Sequence, residues 1–177
     1  MKSLPGLLMF LALPVLAQEE TPPAEATTTA VNQPPCSSVM HRQFDFWLGH
    51  WTVTAGGQLA GQNHIESLHD GCVLAEHWES AQGNFSGSSL NMYDAANGQW
   101  HQTWVDTSGT LLRLDGGLSD GQMVLEGTRP GPGDTVIAHR ISWTPSEDGT
   151  VRQHWETHSG DGEWNTVFDG LYTRKSD

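Results

Sequence analysis

The chain is expected to fold as an all-β domain, a single antiparallel up-and-down β-barrel of about ten strands. Three features of its 177 residues lead there. No segment after residue 50 carries a helical period. Turn signals recur about every 8–12 residues. The runs between them are rich in Val, Ile, Thr, Trp and Tyr, the residues that suit a pleated, half-buried surface.

The elements follow in chain order. The opening MKSLPGLLMFLALPVLA has one Lys, an apolar run from Leu4 to Leu16 and small residues at Val15 and Ala17. It reads as a secretory signal peptide, residues 1–17, cleaved after Ala17. The run is too short for a spanning helix, which needs about 20 apolar residues. No stable membrane insertion is therefore expected after cleavage. Residues 18–35, QEETPPAEATTTAVNQPP, lack any aromatic side chain. Such a segment buries too little surface to offset its ordering entropy and is expected to be a disordered linker. The folded domain is then 36–177, one domain's worth of chain. In HRQFDFWLGHW, the residues Phe44, Trp47, Leu48 and Trp51 recur at helical spacing. A short helix here would cap one end of a barrel.

The turn signals after that point are AGG at 55–57, HDG at 69–71, AQGN at 81–84, DAANG at 94–98, TSG at 107–109, SDG at 119–121, PGPGD at 130–134, SEDG at 146–149 and SGDG at 159–162. They bound a meander from near Trp51 to near Thr173. Closure into a barrel removes exposed strand edges, which favours it over the alternative, a two-sheet sandwich.

The formal charge of −13 becomes −14 once Lys2, the one charged residue of the leader, is removed. The balance disfavours nucleic acid and anionic membrane surfaces as partners, since both require a basic patch. The two cysteines, Cys36 and Cys72, read as one disulfide in an exported protein. The bond would close a loop of about 36 residues, worth roughly 3–4 kcal/mol on the chain-entropy estimate. The expected location is the periplasm or the extracellular space.

Strand parity gives the candidate site. Alternate residues of a strand share a face. Glu76 and Trp78, Gln102 and Trp104, and Gln153 and Trp155 repeat one unit, Glx-x-Trp, in phase. Trp100 lies on the same face as Gln102. Trp buries more surface than other side chains, so its face is assigned to the interior. Polar residues beside it suit a cavity better than a filled core, because each needs a hydrogen-bond partner. Asn91 and Tyr93, opposite Leu90 and Met92, extend the set. Arg140 joins it on the premise that its face also points inward, where it would meet a ligand carboxylate. Exposure of Arg140, or stacking on Trp51, is the other reading, and Arg174 competes for the Trp51 position.

The opposite faces carry His77, Glu79, His154, Glu156 and His158. No metal site is assigned to them. His154 and His158 stand about 13 Å apart along a strand, too far to share one ion. In a meander the strand of His77 does not pair with that of His154. The chain lacks Gly-x-Ser-x-Gly, HExxH, a P-loop and a dinucleotide fingerprint. A buried Glu76 with a raised pKa is the one candidate for acid–base chemistry.

Gly49-His50-Trp51 matches the Gly-x-Trp that opens lipocalin barrels, which makes Gly49 and Trp51 structural. The longer FDFWLGHWTV resembles the opening of an uncharacterised family of secreted bacterial proteins with a lipocalin-like (calycin) barrel. The likeness continues through GCVLAEHW, NMYDAANGQWHQTWVD, GQMVLEG, ISWTPSEDGTVRQHWE and FDGLY, and so spans most of 41–174. The resemblance implies a fold and no established activity. Nitrobindin, a ten-stranded haem barrel, is a more distant likeness. Val53 stands where its opening motif has Gly, and the last His is His158 rather than one near the C-terminus. No cofactor is therefore expected, haem included. The expected function is binding of a small, partly apolar or amphiphilic molecule. The alternatives are a structural or interaction barrel without a ligand, or a barrel enzyme using Glu76.

Overall fold

The computed structural model describes residues 34–160 and 162–175. The signal-peptide expectation for 1–17, and the linker expectation up to residue 33, lie outside the described residues. Two short 3-10 turns, Val39–Arg42 and Asp45–Trp47, lead into the sheet. Ten strands follow: β1 Gly49–Ala55, β2 Gln58–Leu68, β3 Val73–Ser80, β4 Ser86–Asp94, β5 Gln99–Asp106, β6 Leu111–Ser119, β7 Gln122–Pro130, β8 Val136–Pro145, β9 Val151–Ser159 and β10 Asn165–Arg174. Each pairs antiparallel with its predecessor, and β10 returns to β1 through Trp51↔Arg174 and Val53↔Tyr172. The sheet is a closed up-and-down barrel, so every strand has two partners. All nine turn signals fall between successive strands. Among the described residues no helix is long and apolar enough to cross a membrane.

The two ends of the barrel differ because the entering chain folds across one of them. Phe44 and Trp47 are fully buried there. Phe44 stacks on Trp47 with centroids 4.9 Å apart and meets Trp100 and Trp143 edge-on at 5.6 and 5.1 Å. Trp51 Nε1 donates to the Trp47 carbonyl at 2.8 Å. Cys36 and Cys72 are bonded, which ties this cap to the β2–β3 turn. Arg42 donates to the Gly71 carbonyl of the same turn and to the Cys36 carbonyl. The expected helical cap is present as two 3-10 turns, and Trp51 already belongs to β1.

Gly49 has φ +124°, and a side chain there would strike the Arg174 guanidinium at 2.6 Å. Only glycine fits both conditions. Arg174 in turn lies over the Trp51 ring at 4.4 Å and donates to the Leu48 carbonyl. Trp51 thus serves as a cap-end anchor, with Arg174 as its cation.

The capped half of the interior is filled. Ile65, Leu74, Leu114, Met123, Leu125 and Val151 pack there beside the aromatic cap. The far half, where the β1–β2, β3–β4, β5–β6, β7–β8 and β9–β10 turns gather, encloses open space.

Candidate functional site

A cavity of about 470 Å³ occupies the open half of the barrel. Trp78, Trp104, Trp155, Phe85, Phe168, Leu112 and Ile141 form its apolar wall. Glu76, Gln102, Gln153, Tyr172, His139, Arg129 and Asp106 supply its polar groups. All three Glx-x-Trp pairs therefore face one cavity. The eight tryptophans divide by position. Trp47, Trp51, Trp100 and Trp143 fill the capped half, Trp78, Trp104 and Trp155 line the cavity, and Trp164 lies outside.

Glycine sets how the indoles lie. A Cβ on Gly87 would come within 2.2 Å of the Trp104 ring, and one on Gly61 within 2.8 Å of the Trp78 ring. Each indole takes the space that a side chain would fill at a glycine of the strand before its own. Gly87→Ala is expected to push the Trp104 indole into the cavity and destabilise the fold by about 1–3 kcal/mol. A urea midpoint unchanged from wild type, with unchanged tryptophan emission, would contradict this packing.

The floor is a polar network centred on Glu76, which is only 3% exposed. Asn63 Nδ2 donates to Glu76 Oε1 at 2.7 Å and Ser89 Oγ donates to Oε2 at 2.6 Å. Behind Ser89, Asn91 donates to its hydroxyl at 2.9 Å, and Gln102 donates to Asn91 Oδ1 at 2.8 Å. On the other side Asn63 Nδ2 also reaches the Tyr172 hydroxyl at 3.2 Å, and Tyr172 donates to Gln153 Oε1 at 2.5 Å. On the Ser89 side the donors thus run toward the carboxylate, whereas from Asn63 through Tyr172 they run away from it to Gln153. Burial still pushes the Glu76 carboxyl above its ordinary value, against the two hydrogen bonds that favour its ionised form. Burial and the nearby Glu76 charge hold the Tyr172 hydroxyl well above its usual range, so it remains a donor.

Nearer the mouth, Trp155 Nε1 donates to His139 Nδ1 at 3.1 Å. Burial first, and the Arg129 charge second, lower the His139 pKa, so the ring is neutral with its proton on Nε2. Trp104 Nε1 donates to Asp106 Oδ2 at 3.0 Å, and the Ser108 and Thr110 N–H groups bond Asp106 Oδ1. Burial alone would raise the Asp106 carboxyl, but these bonds outweigh it and hold it below its usual range.

Four of the expected ligand contacts are corrected. Asn91, Tyr93 and Trp100 do not line the cavity. Asn91 is locked in the floor, donating to Ser89 and to the Leu74 carbonyl. Trp100 is buried against Phe44 and donates to Gln43 Oε1, and Tyr93 packs on Trp100 and His41 at the capped end. Parity was right for these three, but parity does not report depth along the barrel. Arg140 is on the wrong face. It pairs outside with Glu156 at 3.0 Å and lies over the Trp164 ring at 4.1 Å. The strand that carries it buries Trp143, Ile141 and His139 instead. Sequence reasoning missed Asn63, Ser89, Tyr172, His139 and Arg129. For His139 the signal was present, since it alternates with Trp143 and Ile141.

On the outer surface, β3 and β9 are not neighbours. Glu156 is occupied by Arg140, and His158 packs edge-on to Trp164. Cross-strand register instead places His50, His64 and His77 in one row, with the first two rings stacked at 3.8 Å. Among the described residues no three acidic, His or Cys side chains are arranged to hold a metal ion.

The chain matches no protein-family profile, and no curated protein matches it in sequence.

Proposed function

We propose that the protein binds a small, partly apolar molecule in the cavity of its open half. The supporting observation is the cavity itself: about 470 Å³, walled by three indoles and two phenyl rings, with a few polar groups converging on it. That is the ordinary make-up of a small-molecule site. The catalytic alternative has less support. Both oxygens of Glu76 are already engaged by Asn63 and Ser89 in the floor network, which supports a structural use of the group. The Cys36–Cys72 bond supports placing the protein, and hence its ligand, in an oxidising, exported compartment.

Intrinsic tryptophan fluorescence tests the reading, since three of the eight indoles line the cavity. A panel of lipids, isoprenoids, flavins and haem is expected to yield at least one compound that changes the emission saturably. Trp104→Ala and Gln102→Ala should then weaken its binding about tenfold, the loss of one good contact. His154→Ala should leave affinity unchanged, because His154 lies outside and bonds Thr166. Emission unmoved by the whole panel would favour the ligand-free interaction barrel.

A further inference from the structure

We infer that the ligand of this cavity carries one acidic group on an apolar body, and that Arg129 and His139 receive that group near the mouth. The inference rests on the binding reading above and adds the chemical class and the orientation of the ligand. Register places Arg129 opposite Ile137 and Gly127 opposite His139, so the two side chains come from adjacent strands on the inner face. Both line the cavity.

His139 is 7% exposed, yet the interior satisfies only half of it. Its Nδ1 is taken by the Trp155 indole N–H, which fixes the proton on Nε2. Nε2 has no acceptor among the described residues. Arg129 makes no ion pair or side-chain hydrogen bond among the described residues, and its charge is felt at His139. An imidazole N–H and a guanidinium, neither with a protein acceptor among the described residues and both lining one cavity, form a donor pair suited to an oxyanion.

The other charged groups set the direction. The floor carboxyl, Glu76, already takes the donors of Asn63 and Ser89, so these are not free for an anion. Asp106 bonds Trp104 and the Ser108 and Thr110 N–H groups and makes no ion pair with Arg129. The acidic group thus sits at the Arg129 side and the apolar body lies along Trp104, Trp155 and Phe168. This also explains how a chain of net charge −13 could accept an acidic ligand: the barrel interior keeps its own cation.

The test uses two probes that differ only in this group, decanoate and decanol, titrated by tryptophan fluorescence at pH 8, where the acid is ionised. Decanoate is expected to bind about tenfold or more tighter than decanol, the effect of a charge-assisted bond. Arg129→Gln should collapse the ratio of the two affinities toward one, and Arg129→Lys should restore part of it. Equal binding of both probes to the wild type would overturn the inference and leave the apolar cavity reading standing. A preference that survives Arg129→Gln would overturn the assignment to Arg129. Binding of neither probe would overturn this inference and leave the cavity reading to the wider ligand panel.

Discussion

Replacing Glu76 by Leu is expected to destabilise the barrel by about 2–5 kcal/mol, although Leu is the more hydrophobic side chain. The reason lies in what is left behind. Ser89 loses the acceptor of its hydroxyl proton and Asn63 loses the acceptor of its amide. Each orphaned buried donor costs about 1–3 kcal/mol. Removing the donor together with the acceptor is cheaper, so adding Ser89→Ala to Glu76→Leu should recover part of the loss, a coupling read directly from urea unfolding. Glu76→Gln should be far milder. Asn63 Oδ1 has no partner in the native interior, so a turn of that amide can accept from the new Gln nitrogen.

The two substitutions also separate by pH. Folded Glu76 holds its proton above the ordinary carboxyl value of 4.5, because burial disfavours its charge. Over the interval between that value and the raised one, the folded state binds more protons than the unfolded chain. Stability on this group's account is therefore full below about 4.5 and falls as pH rises through the raised value. Glu76→Gln cannot ionise and removes that fall. The stability difference between wild type and Glu76→Gln should move against wild type as pH rises from 4 to 8. A difference independent of pH would mean that Glu76 is not desolvated as described.

The residues that betray this floor differ in how visible they are in the sequence. Glu76, Gln102 and Gln153 announce themselves, because a large indole two residues away marks their face. The same rule, applied to Trp143 and Ile141, gives His139 and turns Arg140 outward. Arg140 carries a charge suited to a ligand contact, but its strand alternation places it outside, beside Glu156. Ser89 follows from Asn91 by parity alone. Asn63 and Tyr172 do not follow from any local pattern. Asn63 meets Glu76 across the β2–β3 pair and Tyr172 meets Gln153 across the β9–β10 pair, but the two halves join only because β10 closes on β1, which brings residues 109 positions apart into contact. Depth is likewise invisible along a strand. Trp100 and Trp104 share a face four residues apart, yet one is part of the plug and the other part of the cavity wall. What separates them is the cap. FDFWLGHW declares itself apolar and punctuated by turns, but which strands it plugs depends on barrel closure and on where the Cys36–Cys72 bond holds it.

That cap carries the other large expected effect. Trp47→Ala should destabilise the fold by about 3–5 kcal/mol, in the range of large-to-small changes in a packed core. Trp47 is fully buried, stacks on Phe44, and reaches Trp143 at 5.3 Å and Tyr172 at 6.4 Å. Its removal leaves a void between the cap and the polar floor, since its neighbours are rings held by their own contacts and cannot collapse inward. Trp47→Phe should cost much less. The ring stack is kept, and the Trp47 indole N–H has no hydrogen-bond partner, so its loss relieves an unsatisfied buried donor. Trp164→Ala supplies the comparison on the outer surface. There the indole gains the Arg140 stacking, worth about 0.5–1 kcal/mol, and the edge-on contact with His158. Urea midpoints ordered wild type, Trp164→Ala, Trp47→Ala, with Trp47→Phe well above Trp47→Ala, would identify the plug as the stabilising half of the barrel. A Trp47→Ala change no larger than that of Trp164→Ala would mean that the open barrel stands without its cap.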